Sequence, residues 1–479
     1  SAQSYPYDEL THNTMFAKES NTMAKTNKRI LITLWVTAFL LNLVLLYLYY
    51  HNHGERGLVG DEHGYIWQAR EIAAGRLVGR GPLWPPGYGF FLAFPIFVSN
   101  NLDCFNQHPY LLAQLLQVLL WIACGLIFSS IANETLSSCR SRLMAIGLFL
   151  MYPTTIAYSH YFWPEIPHLA FFLAALWIVI KKPPTLVWSI CLGASLAMTV
   201  LMKLVYLPIS FILMLFPIVR SYKQRCIGHK VSAVFAFLTF FLLLAPVCYL
   251  NYHTHGKYMV ADSSVFNAWV GLNDKELSDW NPNEIVGKEY NEFMRAASSH
   301  NERNNIYIDK IKLYISENGV MHTLYSQMSR QYYRLFNYRT YFINLLPRYP
   351  FYNKYLHWAL RLVDGFIWAA ILFGLGIGFT VTITKSKSLL SITWIHLFVI
   401  IIIYNIVLYT VLHIKTRYII AFFPMLCIIS ALGWENLVIR IRQPWQNAAE
   451  CQSYGVIVVG MLISFGLLYL GFHEILILN

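Results

Sequence analysis

Asp61 and Glu62 stand side by side in the first stretch of chain that follows a long apolar run, with His63 and Tyr65 directly after them. Carboxylates so placed suit general-base work: one within hydrogen-bond reach of a hydroxyl or amine can take its proton as it attacks. A third acid, Glu165, closes the turn Tyr161-Phe-Trp-Pro-Glu165 at the start of another apolar run. Three cations belong with them. Lys203 interrupts an apolar stretch in Met202-Lys203-Leu-Val-Tyr-Leu-Pro208, and Lys415, Arg417 and Tyr418 share Lys415-Thr-Arg-Tyr-Ile-Ile-Ala-Phe-Phe-Pro424. Arg suits bidentate contact with phosphate oxygens, whereas Lys acts as a point charge. Each of these residues also has a plainer role: Asp61 and Glu62 as an acidic first helical turn, Glu165 as a span cap, Lys415 as a side chain snorkelling to headgroups.

The elements that must position these groups follow from composition. The chain has 479 residues, of which 57% are hydrophobic, 16% aromatic and only 13% charged. Lipid offers no partner for a backbone amide, so apolar runs of this length must be helical unless their polarity alternates as in a barrel, and it does not. The expected fold is an all-α polytopic membrane protein. About eleven spans of roughly 20 residues are expected: 30–50, 109–132, 142–159, 165–180, 185–202, 204–219, 231–250, 357–383, 389–412, 417–434 and 454–475. Short loops rich in Lys and Arg stay on the cytoplasmic side. Lys18, Lys25, Lys28 and Arg29, then Arg140 and Arg142, Lys181 and Lys182, Arg220 to Lys230, Lys385 and Lys387, and Arg440 and Arg442 all fall on one face in this count. Merging 185–219 into a single span would invert every later loop, so the chain is expected to break near Lys203. The net charge of +12 is then mostly a topology signal, and nucleic acid is not an expected partner.

This orientation divides the chain into a cytoplasmic segment 1–29 of polar, aperiodic sequence, an N-terminal membrane module 30–250 that includes a first outer loop 51–108, an outer region 251–356, and a C-terminal membrane region 357–479. The first apolar run reads as a retained span, since it is long and lacks a small-residue cleavage site. From Asp61 to Gly75 the periodicity predicts a surface helix with Tyr65, Ile66, Ala69, Ile72 and Ala73 on one stripe and Gln68, Arg70, Glu71 and Arg76 on the other, ended by Gly75. A rigid aromatic bend, Pro82-Leu-Trp-Pro-Pro-Gly-Tyr88, follows. The outer region carries two amphipathic patterns, 304–317 with Ile308, Ile311 and Ile315 on one face, and 321–338. Arg330 and Arg334 lie in the second, with Arg303, Arg339 and Arg348 nearby. They form either a solvated basic face or part of a cover that binds an anionic or sugar-bearing acceptor. Cysteine spacing argues neither for a disulfide scaffold nor for a structural metal; His63 beside two acids leaves a divalent cation open.

The acidic pair after the first span, Tyr65 three residues beyond Glu62, the Pro85-Pro-Gly-Tyr88 sequence and the Arg417-Tyr418…Pro424 pattern together resemble the polyprenyl-phosphate-dependent glycosyltransferases of the C-type superfamily. That group includes the protein O-mannosyltransferases and the aminoarabinose transferase of lipid A. Val265-Phe-Asn-Ala-Trp-Val-Gly-Leu-Asn273 resembles the group's Gly-Asn-Asn stretch, with Leu272 as a departure. The resemblance runs from about residue 30 to 435. It implies an enzyme that takes a sugar from a polyprenyl-phosphate donor to an acceptor outside the cytoplasm, whether lipid A, another glycolipid or glycan, or a protein.

The resemblance maps the loop acid onto Asp61, as base, with Glu62 beside it and Glu165 as a second acid. Lys203, Lys415, Arg417 and Tyr418 would hold the donor phosphate, and His63, Tyr65, Tyr88, Arg330 and Arg334 are candidates on the acceptor side. Displacement opposite the departing phosphate would invert the anomeric carbon. A bacterial inner membrane with a periplasmic site, the N-terminus cytoplasmic and the C-terminus outside, is the implied setting. Two alternatives stand beside it. An O-antigen ligase-type transferase would rely on outer Arg and His residues and not on Asp61. A transporter or flippase would place its charges at mid-span with Gly or Pro interruptions and inverted repeats, whereas here they cluster at outer span ends.

Overall fold

The computed structural model describes residues 8–51, 58, 60–76, 83–102, 105, 108–224, 228–274, 283–338, 354–385, 394–442 and 448–477. Pro82, Arg339, Arg348 and Lys387 lie outside the described residues. Every regular element among the described residues is helical. The N-terminal half holds α1 (Asp8–His51), α2 (Glu62–Ala73), α3 (Gly87–Asn101), α4 (Leu111–Thr135), α5 (Cys139–Met151), α6 (Pro153–Tyr158), α7 (Glu165–Lys181), α8 (Leu186–Met202), α9 (Leu207–Gln224) and α10 (Gly228–His255). The segment expected outside the membrane contributes α11 (Ser264–Asn273), α12 (Asn283–Arg295), α13 (His300–Asn318) and α14 (Val320–Phe336). The remainder is α15 (Lys354–Lys385), α16 (Trp394–Val411), α17 (Phe423–Arg442) and α18 (Ala448–Ile477).

Among the described residues, seven helical segments are long and apolar enough to cross a membrane: Asn27–Tyr47, Leu111–Thr135, Val231–His255, Lys354–Thr384, Trp394–Val411, Thr416–Arg442 and Tyr454–His473. The chain is therefore a polytopic, all-α integral membrane protein. The other four expected spans fall on shorter helices. Residues 142–159 form two pieces, because Pro153 cannot continue α5 and its ring holds Tyr152 extended at ψ 109° before α6 begins. Helices α7 and α8 have 17 residues each. The break near Lys203 is present: Lys203 is extended at φ −147°, ψ 105°, and a 3-10 turn over Leu204–Tyr206 leads into α9.

Two expectations are corrected. The polar stretch read as aperiodic is helical from Asp8 and runs unbroken into the first span; extending a helix already nucleated by an apolar run adds one hydrogen bond per residue fixed. On α13 the buried stripe is His300, Asn304 and Tyr307, while Ile308 is exposed, so this helix is held through polar and aromatic contacts.

The C-terminal bundle packs through small residues. Gly374 and Gly378 on α15 face α17, where a Cβ on Gly433 would overlap the Gly374 carbonyl oxygen and one on Gly378 would overlap that of Ile429. Gly376, between them in sequence, faces α18 at Ser464 and Gly460. Lipid tails are as apolar as Leu, so association of such helices depends on backbones approaching closely. Gly378→Val should cost about 1–3 kcal/mol or more by overpacking, read as a thermal unfolding midpoint lowered by a few degrees in detergent. Gly466→Ala on α18, where an added Cβ meets nothing within 4 Å, should stay within about 0.5 kcal/mol of the parent.

Candidate active site

The turn between α6 and α7 is fixed from three sides before it delivers any charge. The Ser159 hydroxyl donates to Asn42 Oδ1 of α1 at 2.9 Å. From α4, Gln117 Nε2 donates to the Tyr161 carbonyl at 2.5 Å and Gln114 Nε2 meets His160 Nδ1 at 2.8 Å. From α2, Glu62 Oε1 accepts the Phe162 backbone N–H at 2.6 Å. Three helices thus satisfy backbone and side-chain groups that a turn at the membrane boundary could not leave bare. Trp163 and Glu165 are the result: the Trp163 ring stacks on Tyr161 at 4.2 Å, and Glu165 opens α7, its side chain 1% exposed.

Arg417 joins this turn to α2. Its guanidinium pairs with Asp61 Oδ2 through Nη2, lies 3.3 Å from Glu165 Oε1 through Nε, and sits over the Trp163 ring at 4.6 Å. Lys203 Nζ donates to the same Glu165 Oε1 at 3.0 Å and lies 4.8 Å from the centre of the Tyr418 ring. Lys415 Nζ stands 3.5 Å from Asp61 Oδ2. Five charged side chains from four parts of the chain form one linked cluster of three cations and two carboxylates. Asp61 is its open member, with 39% of its side chain exposed against 8% for Arg417 and 11% for Lys203.

These contacts separate the readings left open by sequence. Asp61 is the residue before α2, yet its side chain makes no capping hydrogen bond; it is spent on Arg417 and Lys415. Glu62 is fully buried and holds the Phe162 amide. Lys203 pairs with Glu165, with 11% of its side chain exposed. About 25 Å of helix separates Glu165 from the other end of α7, where Lys182 lies over both Trp177 and Trp188 at 4.4 and 4.5 Å. Aromatic rings and snorkelling cations of this kind collect at the membrane interface.

Of the remaining expected residues, Tyr65 stands close enough to Arg417 to interact with it electrostatically, and the others sit elsewhere. Tyr65 and Tyr88 are buried, edge to face at 5.0 Å, with the Tyr88 hydroxyl donating to Gln117 Oε1 at 2.5 Å, so they support the α2–α3–α4 packing behind the cluster. His63 is exposed. Gln68, expected on the polar face of α2, is buried over Gly89 of α3, because glycine there leaves room for its amide. Arg334 and Arg330 join a second group that sequence reasoning missed. Arg334 Nη1 donates to Asp274 Oδ2 at 2.7 Å, His413 Nε2 to the same oxygen at 3.0 Å, and Arg330 Nη1 to the Asp274 carbonyl at 3.2 Å. His168, one turn deeper than Glu165, was also missed. Both its ring nitrogens, and Glu165 Oε2, are buried without a hydrogen-bond partner among the described residues. A polar residue two positions before Lys415 was the one available signal for His413. As to a metal, no three His, Cys, Asp or Glu converge among the described residues.

No family model and no curated protein matches the sequence. Among solved structures it is similar to the archaeal oligosaccharyltransferase AglB from Archaeoglobus fulgidus. In complex with an inhibitory peptide and a dolichol-phosphate that protein is 13% identical at a TM-score of 0.44, over 91% of this chain and 55% of that one. In its apo form it is 12% identical at 0.47, over 91% and 56%. ArnT from Cupriavidus metallidurans in the apo state is 15% identical at 0.32, over 85% and 78%. The chain spans about half the length of the oligosaccharyltransferase chains. All three TM-scores are too low to carry an argument, so the chemistry rests on the site's own geometry.

Burial pushes the His413 imidazole below its ordinary value, with the Asp274 hydrogen bond opposing only part of that. For Asp274, burial disfavours the charge, but the hydrogen bonds from His413 and Arg334 outweigh it and hold the carboxyl below the usual carboxylate range. Both shifts act in one direction on stability. Below about pH 6.5 an unfolded imidazole gains a proton that folded His413 refuses, and below about pH 3.9 unfolded Asp274 does the same, so stability falls with pH. The thermal midpoint of the protein in lipid should decline from pH 7 to pH 5, and His413→Asn should flatten that decline. An equal slope in both proteins would remove His413 as its source.

Proposed function

We propose that the chain is a membrane glycosyltransferase that moves a sugar from a polyprenyl-phosphate donor to a hydroxyl or amine of an extracytoplasmic acceptor: a glycolipid such as lipid A, another glycan, or a protein. The observation that carries this reading is the five-charge cluster, in which three cations meet two carboxylates and the exposed member is the acid Asp61. Intramembrane and boundary charges are costly and mark function by default. An excess cation at the surface of the bilayer suits a lipid-borne phosphate. Of the residues that carry the resemblance to the C-type glycosyltransferases, Asp61, Glu165, Lys203, Lys415 and Arg417 meet here, which supports the same reading.

In this mechanism the donor phosphate competes with Asp61 for Arg417 and Lys415. Arg417 can meet phosphate oxygens through two N–H groups and Lys415 through a point charge. As they turn to the phosphate, the Asp61 carboxylate is released to act as base, so donor binding precedes acceptor activation. The acceptor oxygen or nitrogen then attacks the anomeric carbon from the face opposite the phosphate. The bond from that carbon to the phosphate oxygen breaks with its electron pair on the phosphate, and the acceptor proton passes to Asp61. Glu165 keeps Lys203 and Arg417 aimed at the leaving group. A single displacement of this kind inverts the anomeric centre. The setting is a bacterial inner membrane with the cluster on the periplasmic side, the N-terminus cytoplasmic and the C-terminus outside.

Purified protein in lipid, offered a panel of polyprenyl-phosphate sugars, should release polyprenyl phosphate and modify acceptor. Asp61→Asn should lower that turnover about 100-fold or more, within the range general-base catalysis supplies. Wild-type turnover by folded Asp61→Asn would sink the base assignment. A folded wild type that consumes no donor and binds no polyprenyl phosphate would sink the function.

A further inference from the structure

Lys415 and Arg417 owe their placement to a part of the chain far from them in sequence. Helix α16 ends at Val411 and the 3-10 turn begins at Thr416, so residues 412–415 form a strap with no helix of its own. Its backbone and flanks are held by the outer region. The His413 N–H donates to the Asn267 carbonyl at 3.0 Å, the Ile414 N–H to Gln331 Oε1 at 3.1 Å, and the Thr416 hydroxyl to the Arg334 carbonyl at 3.0 Å. The His413 ring is tied to Asp274, which Arg334 binds in turn. Gly271 lets α11 come against the strap: a Cβ there would stand 3.1 Å from the His413 nitrogen.

We propose that Asp274, His413, Arg334 and Gln331 form a clasp that positions Lys415 and Arg417, so that α11 and α14 set the geometry with which the site receives the donor phosphate. The inference rests on the glycosyltransferase reading for the identity of the ligand, and on the contacts above for the clasp itself. Asp274 and His413 are positioning residues. They reach the site through the strap, whose last residue carries the Lys415 side chain to Asp61. Asp274 lies at the C-terminal end of α11 and Arg334 on α14, so the clasp also ties two helices of the outer segment to each other. Both partners are nearly inaccessible, with side-chain exposures of 2% and 1%. A buried pair of that kind fixes a geometry strongly, since loss of one partner strands the other.

The test uses full-length protein in lipid nanodiscs, comparing Asp274→Asn, Gln331→Leu and Gly271→Ala with the parent. Hydrogen exchange of the peptide covering 412–418 should accelerate about tenfold or more while peptides of α2 and α7 keep their rates. Binding of polyprenyl phosphate alone should weaken about tenfold, and donor KM should rise by a similar factor, with acceptor KM within about twofold of the parent. A merely structural role would lower the folded fraction without separating the two KM values. Unchanged exchange at 412–418 overturns the clasp. Faster exchange with unchanged polyprenyl-phosphate binding and donor KM overturns its positioning role. Lys415→Met serves as the reference for the ligand: when it too binds polyprenyl phosphate like the parent, the donor assignment has failed, and the hold of the clasp on the strap is decided by the exchange rates.

Discussion

A guanidinium buried between two carboxylates is the interaction on which the rest of this structure depends. Arg417 can leave water only because Asp61 and Glu165 meet it, and Glu165 can do so only because Lys203 and Arg417 share its Oε1. Removing one partner from such a set costs about 3–5 kcal/mol, because the survivor is left buried and uncompensated. Four elements are therefore constrained together. Helix α2 must lie where Asp61 reaches Arg417, α7 must begin at Glu165, the chain must break at Lys203, and the strap after α16 must end near both acids. The Trp163 ring completes the enclosure, offering the guanidinium a π face where a hydrogen-bond acceptor would be hard to supply.

On the proposed mechanism the same electrostatics would give the cluster a resting and a working state. Three cations and two carboxylates leave one positive charge in excess among these linked groups, and Asp61 is shielded by Arg417 and Lys415 while no anion competes for them. On that mechanism an arriving phosphate would take over the cations and free the Asp61 carboxylate in the same step. Proton abstraction would thereby be tied to the presence of a leaving group.

The charges were legible in the sequence because they break a rule. Lys203, Lys415 and Arg417 fall on the face that short basic loops avoid, and Asp61 and Glu165 begin helices at that same face. The all-helical class and the break at Lys203 followed from apolar run length and loop charge. What stayed hidden were partnerships between distant polar residues. His413 and Asp274 are 139 positions apart, and each alone is an unremarked polar residue beside an apolar run. Glu62 read as a partner of Asp61 in chemistry because the two are adjacent. One helical step turns its side chain from the exposed edge into the packing, where the Phe162 amide waits. Periodicity also misplaced Gln68 and Ile308, since it assigns faces by polarity, whereas here glycine at Gly89 admits an amide and a polar stripe holds α13.

The helix interruptions and the charges are one design problem solved once. Irregular backbone at membrane depth survives only where protein or a cavity satisfies its freed groups. The turn before α7 is satisfied by Glu62 and Gln117, and the strap before Arg417 by Asn267 and Gln331. Each interruption releases a charged side chain into the cluster, and each is stabilised by polar residues that do not enter it. Those residues lie on α2, α4, α11 and α14, so the precision of the site is distributed over helices that carry none of its cations. Continuous helices here would leave no backbone to satisfy, but they would carry Lys203 and Arg417 around the helix axis at 100° per residue, with no means of turning both toward Glu165. The broken geometry is what allows charges from separate spans to converge on one carboxylate.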